Sequence, residues 1–470
     1  MTVTTGSSYR PFNYNYYGAS NTSGTLTLSA TIRGSVVTVN KSISTSTSNG
    51  APGDLDTTFD SDGKKLDNFT GNTNDWTMNE SVQVQPNDGK IVSIGQTWAA
   101  TNRFAITRLN QDGSFDTSFN STGKLSLYST ESVAGRALRL QPDGKIVVAG
   151  SKLTNAIYLA RVNTDGTLDT SFGTSGLKTL TPGYNAWVEQ IQIQQDGKIL
   201  LTGLLEQGSP AKYYATVTRL NSDGSLDTTF GSSGYATLAD ADTVAYSIGL
   251  TSDNKIIAGG YTGTGASQNY LIYRLTSSGA LDTTFGTSGK TVVSLSSTTQ
   301  DRIESLVVLP DDSIIAGGYA TVVSPSNDYH RIGLAKFTSS GALDTNFNTT
   351  GYYMGTEKFG EAWGGFWMTV LREPISDIIA IGVRKHNNPG DSPSKVGSMY
   401  AERRTAGGLL ETNFNTPNGK IDIFVGTGDF DAGRHGALAP DGRIVIIGHG
   451  NLSTEGNRWR HSWARLWGGF

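Results

Sequence analysis

The stretch LDTTFDSDGK, residues 55–64, decides how this chain is read. It returns as FDTSFNSTGK, LDTSFGTSGL, LDTTFGSSGY, LDTTFGTSGK, LDTNFNTTGY and LETNFNTPNGK, with its aromatic at Phe59, Phe119, Phe172, Phe230, Phe285, Phe347 and Phe414. Two other anchors keep step with it. An apolar run ends at Gly95, Gly150, Gly203, Gly260, Gly318, Gly382 and Gly448, as in IVVAG and IIAGG. A basic–apolar element, TRLNQDG in its first form, closes as ARLWGG near the end of the chain. Three anchors recurring together mark a repeat architecture.

One unit spans residues 131–180. ALRLQ alternates and reads as a first strand, PDGK as a turn, and IVVAG as a second strand. YLARV reads as a third strand, NTDG as a turn, and LDTSFGTSGLKTL carries the chain through a fourth, outer strand. The second strand is apolar at successive positions, so both of its faces are buried. A lone four-stranded sheet cannot bury both faces, but a closed ring of packed sheets can. The expected fold is therefore all-β, a seven-bladed propeller of four-stranded blades over residues 55–470. The opening motif stands ahead of any other repeat element, and the last copy lacks it. Residues 55–70 are thus expected to supply the outer strand of the last blade, beside Trp463–Leu466, closing the ring and covering an open edge.

Composition agrees with this reading. Hydrophobic residues make up 36% and there are 58 glycines, which suits short strands and tight turns. The net charge of −4, with no basic block, argues against a nucleic-acid partner. With no cysteine there are no disulfides and no thiolate metal sites. MTVTTGSSYRPFNYNYYG lacks a basic region followed by an apolar core, so no Sec-type signal is read there, and no apolar run suggests membrane insertion.

The combination LQPDGKIVVAG…LARVNTDGTLDTSFG resembles the delta-60 repeat, found in bacterial surface proteins and some phage virion proteins, and its strand logic resembles the NHL-type blade. The resemblance covers residues 55–467, most weakly around 352–405. It implies a fold and says little about activity.

Residues repeated in every unit read as structural. Arg108 with Asp116, Arg161 with Asp169, Arg219 with Asp227 and Arg274 with Asp282 are expected to form ion pairs within blades. Lys336, Arg403 and Arg465 stand at the same basic position, and Asp56, Asp344 and Glu411 at the acidic one. The NQDG, NTDG and NSDG corners hold oxygen donors. Later blades replace them with TSSG and TAGG, so these corners read as glycine turns and no metal site is expected. Acids also gather near the first strands (Glu80, Glu131, Glu189, Asp242, Glu304, Glu361 and Asp431), with Arg136, Arg302 and Arg434 among them. If the first strands line the channel, the mixed signs favour ion pairs over a carboxylate ring.

Departures from the repeat point to recognition. Loops after the second strand vary and carry aromatics, and the sixth unit departs most, with Trp363 and Trp367 near its first strand and a longer loop carrying His386. Trp98, Tyr213, Tyr214, Tyr329, Trp363, Trp367, His386 and Trp459 are the candidate binding residues. Residues 1–54 differ in composition. YRPFNYNYYG leads into GTLTLSATIRGSVVTVNKSIS, which reads as a hairpin, and TSTSNGAPG is a linker. Arg10, Phe12, Tyr14, Tyr16 and Tyr17 are the candidate assembly anchor. This layout resembles a phage head or tail appendage. The expectation is a non-enzymatic virion attachment protein without cofactors, bound to other virion proteins through residues 1–54, with a host-surface protein or glycan on the loop face. A bacterial surface adhesin, or a propeller hydrolase or lyase with a site at the channel mouth, are the alternatives. No H-E-x-x-H or G-x-S-x-G motif supports the enzyme, and no catalytic residue is assigned.

Overall fold

The structure is a computed structural model. It describes the backbone of residues 24–32 and 35–43, and residues 50–98, 102–128, 132–152, 156–295, 299–322, 329–356, 369–372, 377–385, 397–428, 430–455 and 458–468. Seven four-stranded antiparallel sheets follow one another. In the first blade the strands run Trp76–Val84, Ile91–Trp98, Asn102–Leu109 and Lys124–Leu127, from inside to outside. The innermost strands of the other six are Ala134–Leu140, Asn185–Ile193, Thr243–Leu250, Thr299–Val308, Thr369–Arg372 and Asp431–Leu438. Each innermost strand touches the next, and that of the seventh blade touches that of the first, so the ring closes around a central channel. Among the described residues, helical structure is limited to two single 3₁₀ turns, and no helix is long and apolar enough to cross a membrane.

The opening motif acts as the expected clasp. Lys64–Asp67 pairs antiparallel with the third strand of the seventh blade, Lys64 against Ala464 and Asp67 against His461. Leu55 bridges Leu466. The outer strand is shorter than the sequence suggests. Leu177–Leu180, four residues, is all that LDTSFGTSGLKTL contributes. Gly173, Ser175 and Gly176 take positive φ, so the first part of the motif coils into a turn instead of extending.

That turn joins neighbouring blades. Phe59, Phe119, Phe172, Phe230 and Phe285 have no solvent exposure. The turn glycine of the next blade lies against the ring: a Cβ on Gly224 would come within 2.7 Å of Phe172, and one on Gly279 within 2.9 Å of Phe230. Both glycines also have φ near +85°, which side chains resist. Two of the three anchors, the motif phenylalanine and the glycine of the basic–apolar element, are therefore one contact between neighbouring blades. Burying each ring contributes about 2–3 kcal/mol.

Second strands are buried on both faces, as Ile146–Ser151 illustrates. Val92 and Ile94 of the first blade share a cluster with Val148 and Tyr158 of the second. The ring closes in the same way, with Val82 and Ile91 packing on Val445, Ile447 and Trp463. Outside the ring, Gly24–Ile32 and Ser35–Ile43 pair as a hairpin.

Candidate functional site

The glycine that closes each apolar run lies inside its second strand and marks a device the sequence reading missed. In the first blade Gly95 pairs with Asn79 and Ile94 pairs with Ser81, leaving Glu80 as an extra residue in a β-bulge. The same slip leaves Arg136, Glu189, Tyr246, Glu304 and Arg434 extra in five other blades. The bulge drives the preceding carbonyl against the opposite strand. A Cβ on Gly95, Gly150, Gly203, Gly260, Gly318 or Gly448 would lie 1.7–2.0 Å from that carbonyl oxygen, so glycine is required there. In the sixth blade the corresponding position precedes Thr369 and lies outside the described residues.

All six extra side chains line one axial cavity of about 60 Å³. That is room for about two waters, well below the roughly 300 Å³ of the smallest ordinary ligand pockets. The cavity has two unlike halves. In one, Arg434 Nη1 donates to Glu80 Oε2 at 2.7 Å, Arg136 Nη1 lies 3.7 Å from Glu80 Oε1, and Gln96 Nε2 donates to that oxygen at 3.2 Å. In the other stand Glu189, Tyr246 and Glu304. Burial pushes the Glu304 carboxyl up to about 8, Glu189 adds to the rise, and Arg302 and Arg434 oppose it. Burial raises Glu189 too, against the pull of Arg136. Burial likewise raises the Tyr246 hydroxyl well above its usual value. The axis therefore holds Glu80 between two guanidiniums, opposite a Glu304 that is protonated at neutral pH. Such a carboxyl can donate a hydrogen bond or a proton.

The structure sorts the other charges of the first strands away from the axis. Asp431 Oδ1 accepts the Gly426 N–H at 2.9 Å, Asp242 pairs with Lys212 at 2.7 Å, and Arg302 Nε donates to Gln268 at 2.8 Å. Glu131 and Glu361 lie outside the described residues.

The repeated ion pairs sit at the outer blade junctions. Arg108 Nε donates to Asp116 at 2.6 Å, Arg161 to Asp169 at 2.6 Å, Arg219 to Asp227 at 2.7 Å and Arg274 to Asp282 at 2.8 Å. Each arginine also reaches a carbonyl in the next blade's turn, as Arg274 does to Ser339 at 2.7 Å, and lies over its own motif phenylalanine, 4.4 Å from the ring centroid for Arg219. The lysine after the first turn joins the same acid, Lys198 to Asp227 at 2.8 Å. Burial opposes the charge on Asp227, but Lys198, the Thr229 hydroxyl and Arg219 hold it far below the usual carboxylate range. Arg465 and Asp56 repeat the pair across the clasp at 2.7 Å. The sixth blade departs from the expected pairing: Arg403 binds Asp377 at 3.0 Å, and Glu411 instead accepts the Asn413 N–H. The corner acids act as turn formers, Asp112 Oδ1 accepting the Ser114 N–H at 2.9 Å.

Of the candidate binding residues, Trp98 and Trp459 come together where the first and seventh blades meet, with Trp76 as a third member. Ring centroids are 5.9 Å apart for Trp98–Trp459 and 5.1 Å for Trp76–Trp459. Trp98 is 37% exposed. Arg458 Nη1 donates to the Thr73 carbonyl at 2.8 Å and so holds the loop beside them. Tyr213 and Tyr214 lie in the third blade, away from this cluster, with Tyr213 exposed. Of Tyr329 only the backbone is described, paired with Val322. Trp363, Trp367 and His386, and the anchor residues Arg10, Phe12, Tyr14, Tyr16 and Tyr17, lie outside the described residues.

Comparison with known proteins agrees with this geometry. Residues 87–119, 141–172, 194–230, 251–285 and 309–347 match the family model described as a domain of unknown function (DUF5122) beta-propeller. The chain is a β-propeller. No curated protein matches the propeller's sequence. Among solved structures it is similar to the polysaccharide lyase Uly1, 11% identical over 83% of this chain and 89% of that chain, with a TM-score of 0.46. It is also similar to a Penicillium chrysogenum α-L-arabinanase complexed with arabinobiose, 10% identical over 70% and 91% of the two chains, TM-score 0.42. Chaetomium thermophilum Sqt1, bound to the N-terminus of the ribosomal protein L10, is 12% identical over 84% and 97%, TM-score 0.39. At these identities the likeness is one of fold alone.

Proposed function

We propose that this propeller is a non-enzymatic attachment protein that recognises cell-surface glycan through the tryptophan cluster of its first and seventh blades. The observation that carries the reading is the exposed Trp98, backed by Trp76 and Trp459. A large ring on a rigid backing offers a flat apolar face at low entropic cost, which suits the C–H face of a sugar. The repeated charges are already engaged at blade junctions, so they serve the ring and not a ligand. Residues 1–54 are the element by which the chain joins a larger particle, and a phage virion is the setting that suits an anchor followed by a rigid platform. A glycan array probed with the full-length chain and with Trp98→Ala tests the reading. Binding lost in the variant, at unchanged thermal stability, supports it. Equal binding by both chains overturns it.

A second reading rests on Glu304. A carboxyl held at about 8 beside Glu189 and Tyr246 has the protonation state of a general acid, as a propeller hydrolase or lyase requires. The small cavity weighs against it. Turnover of a polysaccharide by the full chain, abolished in Glu304→Gln, decides for this reading over the first.

A further inference from the structure

The seam that closes the ring, between the seventh blade and the first, differs from the other blade contacts in its histidines. His449 and His461 stand directly opposite each other on neighbouring strands of the seventh blade. They are 2% and 0% exposed. Arg434 Nε points to His449 Nδ1 at 3.4 Å, so this nitrogen accepts and the ring is neutral, and its Nε2 has no hydrogen-bond partner. Neither ring nitrogen of His461 has one, although the carbonyls of Met78 and Gln96 of the first blade lie nearby. Aromatic rings fill the remaining space: Trp459 is 4.4 Å from His449, while Phe69 and Trp463 are 5.4 and 5.8 Å from His461.

The charges facing the pair are mostly cations or already paired. From the first strand of its own blade, His449 meets Arg434, which is engaged by Glu80 across the seam, and Asp431, which accepts the Gly426 N–H. From the outer strands, His461 meets Lys124 and Asp67, which bond to each other at 2.7 Å. Arg460, beside it in sequence, is bound to Glu455.

We propose that this seam is an acid-operated latch: protonation of His449 and His461 opens the ring at the place where its two ends are joined. A proton on His449 Nδ1 removes the acceptor that Arg434 uses and sets a cation against the guanidinium that ties Glu80 to the seventh blade. A second proton on His461 places two like charges opposite each other in one ladder, a destabilising arrangement. The contacts opened first are those of the seam, Asn79 Nδ2 to the Ser462 carbonyl at 3.2 Å and the His461 N–H to Thr77 Oγ1 at 3.2 Å. Loss of the Lys64–Asp67 pairing follows.

Burial and the neighbouring cations hold both imidazoles low in the closed ring, His461 at about 3 and His449 well below its usual value. An opened seam restores ordinary affinity near 6.5. The open form therefore binds more protons than the closed form, and closure weakens as pH falls from about 6.5 towards 3. His330, in the fifth blade, has a partner in Thr321 Oγ1 at 2.7 Å and serves as an internal reference.

Hydrogen exchange on the full-length chain from pH 7.5 to 4, expressed as protection factors, tests the latch. We expect residues 64–67, 76–84 and 459–466 to lose protection by about tenfold or more before the third and fourth blades change. The double variant His449→Gln/His461→Gln should shift that opening to lower pH by about one unit. If the variant does not fold, the order of opening in the unaltered chain still decides. Protection lost in all blades at one pH, or retained longest at the seam, overturns the proposal. So does a folded double variant with an unchanged profile.

Discussion

Arg434 of the seventh blade lies 2.7 Å from Glu80 of the first, which joins two residues 354 positions apart at the axis of the ring. Both are the extra residues of β-bulges on innermost strands, at the opposite edge of the seventh blade from the clasp that pairs Lys64–Asp67 with Trp459–Leu466. Closure is therefore made twice, by a strand at the rim and by an ion pair at the centre.

Removing residues 55–70 should lower the melting temperature by roughly 10 °C or more and make unfolding less cooperative, because it exposes the edge of the last strand and takes Asp56 from Arg465. Calorimetry of the shortened chain checks this. An unchanged transition would mean the clasp does not hold the ring.

Gly203→Ala puts a Cβ 1.9 Å from the Trp187 carbonyl. The bulge that carries Glu189 cannot keep its shape, and a loss of about 3 kcal/mol or more is expected in denaturant unfolding. A change under about 0.5 kcal/mol would show that the glycine is not there to admit the bulge.

Glu304→Gln should stabilise the ring, and more so at higher pH. The folded carboxyl titrates at about 8, above its unfolded value of 4.5. The unfolded chain therefore sheds a proton that the folded chain retains, and this cost grows from pH 4.5 to 8. Denaturation at pH 5 and pH 8.5 should show a gain on the order of 4–5 kcal/mol at the higher pH and under about 1 kcal/mol at the lower. A loss of stability at both would mean that Glu304 is ionised and paired.

Acid should act on the propeller in two stages. The buried histidines begin to cost stability below pH 6.5, for the reason given for the seam. The junction aspartates act lower: Asp116, Asp169, Asp227 and Asp282 are all held far below their usual value, so their contribution is intact above about pH 4 and lost beneath it. Unfolding followed from pH 7 to 2 should show an early decline that the His449/His461 variant reduces to the share of His435, whose imidazole burial also holds at about 3, and a late one that it keeps.

Light scattering on the full-length chain, compared with a chain beginning at Ala51, measures what residues 1–54 contribute. Assembly of the full-length chain, with a monomeric shorter one, is the expected outcome. Two monomers would leave residues 1–54 without self-association.

The ring was legible in the sequence because Phe, Gly and Arg recur for reasons of packing that act alike in every blade. The clasp was legible because a motif stood where its partner strands did not. Glu80, Arg136, Glu189, Glu304 and Arg434 were legible as mixed charges near the first strands, but Tyr246 and the bulge that turns all six to the axis were hidden, since an inserted residue breaks the alternation by which strands are read. A fixed spacing was nonetheless present: Arg136, Glu189, Tyr246, Glu304 and Arg434 each stand 14 residues before the glycine that closes the apolar run, and Glu80 stands 15 before Gly95, after a turn one residue longer. The switch of Arg403 from Glu411 to Asp377 was not readable, because the other units have no acid at that place in the repeat and REPISD departs from the PDGK pattern. Trp76 escaped notice because it belongs to a first strand, while the reading looked for aromatics in loops.

The attachment reading stands or falls on glycan binding by the tryptophan face. Titrating the full-length propeller with its strongest array ligand, with tryptophan fluorescence as the signal, is the direct measurement. The account predicts saturable binding that Trp98→Ala weakens at least tenfold while melting stays unchanged. Saturable binding with the same affinity in the variant, or no binding to any glycan, would contradict it.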